Sequence, residues 1–327
     1  MRLAMRVIVQ KPNWGWLLVL SCVCLLVSSA WLEAAPGSLP LAFTATKGDQ
    51  TITLLGTIHA GNSKMYPLPQ KIYDALSSSD AVAFEIDIDK ETLSGMEDLL
   101  NQMTRLPEGV NLFDLLPSDT FFKLERVLNP YGIHLIERLE FEPWFFSLLI
   151  HSLPMASGQL NIKHGVESHL KHRRESRGKP MLSLETIEEQ ISYFRMGSLE
   201  DQMIVLDSFL QTVDTLEESM DDLFDAWKSG NASHFEMELT KLSDSDVAPM
   251  IKSFWEDLIQ TRNRTMLARM VEMSNDHTRL FVAVGTLHLV GPEGVVSGLQ
   301  SSGFRVERLI YDENDAASSV GLGGGPE

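Results

Sequence analysis

The sequence predicts an α/β fold: a central mixed or parallel sheet from N- and C-terminal segments, carrying a large all-helical insertion. Three observations predict it. Short apolar runs lie towards both ends, at 41–55, 81–89, 279–285 and 304–311. Between them, apolar residues recur at spacings of three and four, which is helical periodicity. No long flexible linker interrupts the chain, so one domain is expected after the leader.

The leader comes first. Arg2, Arg6 and Lys11 precede an apolar run from Trp14 to Leu26, and Val27-Ser28-Ser29-Ala30 follows it. That is the layout of a secretory signal peptide over residues 1–30, with a second possible cut near Ala34 or Ala35. An uncleaved anchor is the competing reading, but the run is short for a membrane span. Lipidation at Cys22 or Cys24 is a weaker alternative. The expected destination is the periplasm or the outside of the cell.

The full chain of 327 residues carries a formal charge of −18. Without residues 1–30 it keeps 24 Lys and Arg against 45 Asp and Glu, a net −21. Such a surface argues against nucleic acid, which needs clustered cations, and against anionic membranes. Both cysteines fall in the leader, so the mature chain has no disulfide and no thiol nucleophile. No later segment is apolar enough to span a bilayer. Oligomeric state is not legible.

The elements follow in order. LAFTAT and TITLLG, separated by Lys47-Gly48-Asp49-Gln50, read as a β-hairpin. Lys71 to Ser79 places Ile72, Ala75 and Leu76 on one helical side. Residues 81–89 read as a buried strand with a carboxylate inside it. From 91 to 177 the pattern is helical, notably in 119–128, 143–153 and 164–172, punctuated by Pro117, Pro130, Pro143 and Pro154. Residues 181–185 read as a third buried strand, 186–274 as helical again, 279–285 as a fourth strand and 304–311 as a fifth. The polar, Gly-rich tail, 312–327, is expected to be disordered.

One pattern recurs across more than two hundred residues. Gly56-Thr57-Ile58-His59 and Gly285-Thr286-Leu287-His288 each follow an apolar strand and precede another glycine. A strand that ends in Gly-Thr-X-His presents an imidazole at its carboxyl end, where open α/β sheets place their ligands. A single such His is more often a satisfied turn residue; two copies of the pattern point to a shared site. Glu85 and Glu185 sit in comparable apolar runs, and a carboxylate there is costly unless paired, hydrogen-bonded or metal-bound. Simple alternation could equally turn Glu85 to solvent, and Asp87 shares its face. Two imidazoles with one or two carboxylates suit zinc, manganese or cobalt, with a spare Glu as general base. No Gly-X-Ser-X-Gly elbow is present to support a serine hydrolase.

At these residues the chain resembles the TraB/GumN family, related to the Tiki proteases. The resemblance runs through LLGTIHAGN, AVAFEID, GVESHLKHRRESRGKPMLSLETIEEQ (165–190), AWKSGN (226–231), TRNRTM (261–266) and VAVGTLHLVGPEGV (282–295), over about residues 41–311. It implies a fold of the erythromycin-esterase and ChaN-like group. From the Tiki branch it implies metal-dependent proteolysis by His59, His288 and Glu85, with Arg262 and Asn263 matching an Arg-Asn pair that would hold a substrate carbonyl or carboxylate.

The expected function is therefore an exported metallohydrolase acting on a peptide or small-molecule substrate. His59, His288 and Glu85 are the expected metal ligands; Glu85, Glu185, Arg262 and Asn263 the catalytic set. A non-catalytic protein capturing a peptide signal, haem or another small ligand is the alternative. Metal-free esterase chemistry with a histidine as general base is a third reading. The cluster of His164, His169 and His172 around Glu167, with Lys171, Arg173 and Arg174, reads as a solvated helix face. His134, His151, His234 and His277 read as isolated, and Met196, Met203, Met220, Met237, Met266, Met270 and Met273 as core filler.

Overall fold

The computed structural model describes residues 38–86, 99, 101–156, 160–195, 197–242 and 249–311. The leader, Asp87, Met196 and the Gly-rich tail lie outside them. Strands β1 (Ala42–Lys47), β2 (Gln50–Thr57), β3 (Ala81–Phe84), β4 (Met181–Ser183), β5 (Arg279–Gly285) and β6 (Arg305–Arg308) form one mixed sheet in the order β4-β3-β5-β2-β1-β6. β4, β3, β5 and β2 are parallel; at one side β1 pairs antiparallel with β2 and β6 antiparallel with β1, so that β1 alone runs against the others.

The hairpin expectation holds: β1 pairs with β2 from Ala42↔Leu55 to Lys47↔Gln50. β5 falls on the predicted seven residues, its Leu280 to Val284 all buried. A parallel strand covered on both faces is apolar throughout, which makes this element readable. β3 and β4 are shorter than predicted. Both end before their glutamates, so Glu85 and Glu185 stand just past the strand ends. Two further backbone bonds, Leu184 N–H to Phe84 O at 2.9 Å and Glu185 N–H to Glu85 O at 2.8 Å, carry the pairing across those residues.

The helices are α1 (Gln70–Ser78), α2 (Leu112–Leu115), α3 (Ser118–Leu128), α4 (Pro143–Ala156), α5 (Val166–Arg177), α6 (Ile187–Phe194), α7 (Leu199–Thr212), α8 (Leu216–Ser229), α9 (Ala232–Leu242), α10 (Pro249–Trp255), α11 (Arg262–Asp276) and α12 (Val295–Ser301). Pro117 and Pro143 stand at helix starts as expected. Pro154 corrects the reading: it lies inside α4. Its place in the last turn limits the loss to one late backbone bond. Between α10 and α11, Glu256–Thr261 form a π-helical turn that leads directly into Arg262. Such turns re-aim the residues that follow and are frequent at functional sites. Met266 and Met270 are fully buried, as core filler should be, whereas Met237 is 48% exposed.

Two contacts matter most for the site. β5, from late in the chain, slots between β2 and β3, with Thr57↔Gly285 and Phe84↔Ala283 in register. This sets the two Gly-Thr-X-His turns side by side, with Glu85 across from them. The segment before α5 is then strapped onto the His59 turn. Gly61 and Asn161 exchange backbone bonds of 3.1 and 2.8 Å, and Val166 N–H donates to Ile58 O at 3.1 Å. Gly165 is required there, because a Cβ would come 2.1 Å from the carbonyl oxygen of His59.

Candidate metal centre

The site is built at the carboxyl ends of the parallel strands. His59 follows β2, Glu85 follows β3, Glu185 follows β4 and His288 follows β5. Glu85, Glu185 and His288 are buried, at 5%, 2% and 2% exposure; the His59 side chain keeps 18%. Glu85 therefore turns inward, not to solvent.

Arg262 binds the two acids together. Its side chain is wholly buried, and its Nε lies 3.0 and 3.1 Å from the Glu185 oxygens. Its Nη2 donates to Glu185 Oε2 and to Glu85 Oε2, each at 2.7 Å. The other Glu85 oxygen, Oε1, accepts from the Gly285 backbone N–H at 2.6 Å. Burial works against a charge on Glu85, but Arg262 and the two imidazoles outweigh it and hold the carboxyl down at about 2. For Glu185 burial wins over Arg262 and pushes the carboxyl up.

Each imidazole has its Nδ1 taken. His288 Nδ1 lies 2.7 Å from Asn263 Oδ1, and the Asn263 amide donates to Glu293 O at 2.8 Å. His59 Nδ1 lies 2.8 Å from Glu167 Oε1, which also accepts from the Thr57 hydroxyl. The Nε2 edges are left for the shared space. A methyl carbon placed on Gly285 would come 3.2 Å from Glu85 Oε1, 3.5 Å from His288 Cδ2 and 3.9 Å from His59 Nε2. The environments differ sharply. Burial and Arg262 drive His288 down to about 3. On His59, burial is overcome by the Glu167 carboxylate, with help from Glu85, and the ring rises to about 9.

The donor chemistry fits a divalent cation. Two imidazoles limited to Nε2, each fixed by an outer partner, and a carboxylate held in its charged form are a normal ligand set. The spacing is loose, with His288 Nε2 4.0 Å from Glu85 Oε1. Among the described residues, no three His, Asp or Glu side chains stand close enough together to close on an ion.

All six residues singled out from the sequence meet here. Arg262 and Asn263, expected to face substrate, are buried and turned onto Glu85, Glu185 and His288. Glu167 is the residue sequence reasoning missed, because its neighbours read as a solvated face. His164 and His172 are indeed exposed. His169 is not: it stacks on Tyr66 with ring centroids 4.0 Å apart and lies 2.9 Å from the Tyr73 hydroxyl. Gly165, just before α5, was the available hint that this helix start presses on something. A cleft of about 670 Å³ opens beside Asn263 and Glu293, between Trp255, Ile259 and Leu289. A larger one, about 830 Å³, lies between α7 and α10 and contains none of the six residues. The chemistry, not the volume, identifies the site.

Among the described residues, no helix is long and apolar enough to cross a membrane. Comparison with known proteins gives the same family as the motifs. The Metalloprotease TIKI2 of Xenopus tropicalis is 24% identical over 301 residues, covering 78% of this chain and 57% of its own length. The Metalloprotease TIKI1 of Danio rerio is 24% identical over 307 residues, covering 80% and 61%. An uncharacterized protein of Treponema pallidum (strain Nichols) is 23% identical over 292 residues, covering 84% and 85%. The chain thus spans about three fifths of the length of these two Tiki relatives. No solved structure matches. The model of the TraB/PrgY/gumN family matches residues 41–308, nearly the whole described span, and the chain belongs to that family.

Proposed function

We propose that this chain is an exported metal-dependent hydrolase of peptidase type, with His59, His288 and Glu85 holding one divalent ion of zinc, manganese or cobalt. A single observation carries the reading. Two imidazoles, each with Nδ1 engaged elsewhere, face the same small space over Gly285, into which Glu85 also turns an oxygen. The metalloprotease names of the Tiki relatives support the same reaction class.

A bound ion of this kind acidifies water and polarises a carbonyl. The chain's own residues prepare the place for it. Arg262 keeps Glu85 ionised, so that a charged oxygen is available at any physiological pH. Asn263 accepts from His288 Nδ1–H and leaves the Nε2 lone pair facing the site. Glu185 has both oxygens on Arg262 and serves here to hold the guanidinium, not as ligand or base. Arg262 and Asn263 are accordingly positioning residues. Export rests on the leader at residues 1–30, with the periplasm or cell exterior as the site of action.

The test uses the purified full chain. Elemental analysis should find about one divalent ion per chain, lost in His59→Ala and in His288→Ala. Mass spectrometry of a peptide pool should show cleavage that a chelator stops and added zinc restores. A chain that takes up no divalent metal overturns the proposal. So does a peptide held but left intact, which identifies a binder, or cleavage indifferent to the chelator, which identifies metal-free chemistry.

A further inference from the structure

We infer that Glu167 is a positioning residue of this centre: it selects the ring tautomer of His59 and thereby sets the affinity of the site for a divalent cation. The inference rests on the metal reading of the same site and adds a residue to it.

The argument begins with an imidazole's two nitrogens. A neutral ring carries one proton, and only the bare nitrogen can bind a metal. An acceptor fixed at Nδ1 keeps the proton there and leaves Nε2 bare. Glu167 is such an acceptor, 2.8 Å from His59 Nδ1. It is also fixed in place, because Thr57, two residues before His59, donates its hydroxyl to the same oxygen. The helix start that carries Glu167 is tied down by Val166 N–H to Ile58 O and by Tyr66 O–H to His164 O at 2.8 Å. The strap, the threonine and the acid therefore form one rigid support behind the ring. On the far side, His59 Nε2 faces the space over Gly285 shared with Glu85 and His288.

The two rings are supported by different chemistry. Asn263, a neutral amide, backs His288; a carboxylate backs His59. A carboxylate is the stronger acceptor and makes the ring a better electron donor through its other nitrogen. His59 is the ring with solvent access as well, so it is the one free to change tautomer without this support.

The alternative is that Glu167 only pins α5 to β2. Two readouts separate these roles. Nitrogen-15 ring shifts of His59 are recorded in the metal-free full chain, above the pH at which the ring becomes neutral. Cobalt(II) affinity is read from its d–d absorption. Wild type should show the proton on Nδ1. Glu167→Gln, which keeps an acceptor oxygen, should retain that tautomer and most of the affinity. Glu167→Met, which keeps the bulk, and Glu167→Ala should move the proton to Nε2 and weaken cobalt binding about 10- to 100-fold. Thr57→Val, which removes only the threonine anchor, should preserve the tautomer.

The inference is overturned if Glu167→Met or Glu167→Ala leaves the proton on Nδ1. It is equally overturned if these variants weaken cobalt binding no more than Thr57→Val does. If neither folds, Glu167→Gln decides alone, and a tautomer shift there sinks the idea. A wild-type chain that binds no cobalt but holds the Nδ1 proton through Glu167 refutes the metal reading and leaves the tautomer assignment standing.

Discussion

Asn263 Oδ1 sits 2.7 Å from His288 Nδ1, and the same side chain reaches back to Glu293 O, so a buried imidazole is fixed by an amide that is itself fixed. Both partners are buried, at 2–3% exposure, so water does not replace a lost bond. Asn263→Leu should therefore leave a buried ring N–H unsatisfied and cost about 1–3 kcal/mol in chemical denaturation of the metal-free chain. Zinc affinity should fall about 10- to 100-fold, as for other outer-shell partners of metal-binding imidazoles. Unchanged zinc affinity in a folded Asn263→Leu variant would show that Asn263 has no such role.

Arg262 gives a prediction with a reversed pH dependence. In the wild type, Glu85 at about 2 contributes stability that is complete above its ordinary value of 4.5 and disappears as the pH falls through about 2. Arg262→Met removes the cation and leaves Glu85 and Glu185 buried together. At neutral pH the loss should be about 3–5 kcal/mol, enough to unfold a marginal domain. Burial then raises both carboxyls, so the variant should regain stability relative to wild type as the pH is lowered towards about 5. Adding Glu185→Gln to Arg262→Met should restore part of the loss at neutral pH. Denaturant midpoints across pH check both statements.

How much of this was legible in the chain depends on whether a residue's role is local. β5 could be read because a strand covered on both faces needs apolar residues at every position, and Leu280 to Val284 supply them. His59 and His288 could be read because strand, glycine and imidazole are contiguous in both copies. The strands before Glu85 and Glu185 end sooner than the sequence predicts, at Phe84 and Ser183, because the apolar run continues past the regular ladder into a looser, still hydrogen-bonded pairing. Glu167 stayed hidden because its partner lies across the fold, while its own neighbours, Lys171, His172 and Arg173, look solvated. The substrate-facing role expected for Arg262 and Asn263 came from the family pattern. Only the packing of α11 on β2 and β5 shows that both side chains point into the acids and the ring.

Protons report on His59. Its ring, raised to about 9, is charged at neutral pH in the metal-free chain. A folded-state value above the ordinary 6.5 stabilises the fold fully below 6.5 and loses that contribution as the pH climbs through about 9. The metal-free chain should lose up to about 3 kcal/mol across that window, and Glu167→Gln should flatten the slope. Metal binding needs the bare nitrogen, so at neutral pH, well below 9, it should release close to one proton from this ring. Titration calorimetry of zinc in buffers of different ionisation enthalpy measures that proton directly. An enthalpy independent of buffer would contradict it.

Gly285 offers the sharpest separation of folding from chemistry. Its φ of −50° is ordinary for any residue, so alanine introduces no backbone strain there. The added methyl would nonetheless stand 3.2 Å from Glu85 Oε1, 3.5 Å from His288 Cδ2 and 3.9 Å from His59 Nε2, in the space the three side chains share. The carboxylate must give by a few tenths of an ångström, which it can do only by loosening its bond from the Gly285 N–H. Gly285→Ala should therefore fold with a stability loss of about 1–3 kcal/mol, the usual cost of overpacking. Metal uptake and any peptide cleavage should both be lost. Gly165→Ala provides the contrast: its methyl meets the His59 backbone at 2.1 Å, so that variant should fail in folding first. A Gly285→Ala chain that binds metal as tightly as wild type would place the ion somewhere other than between these two imidazoles.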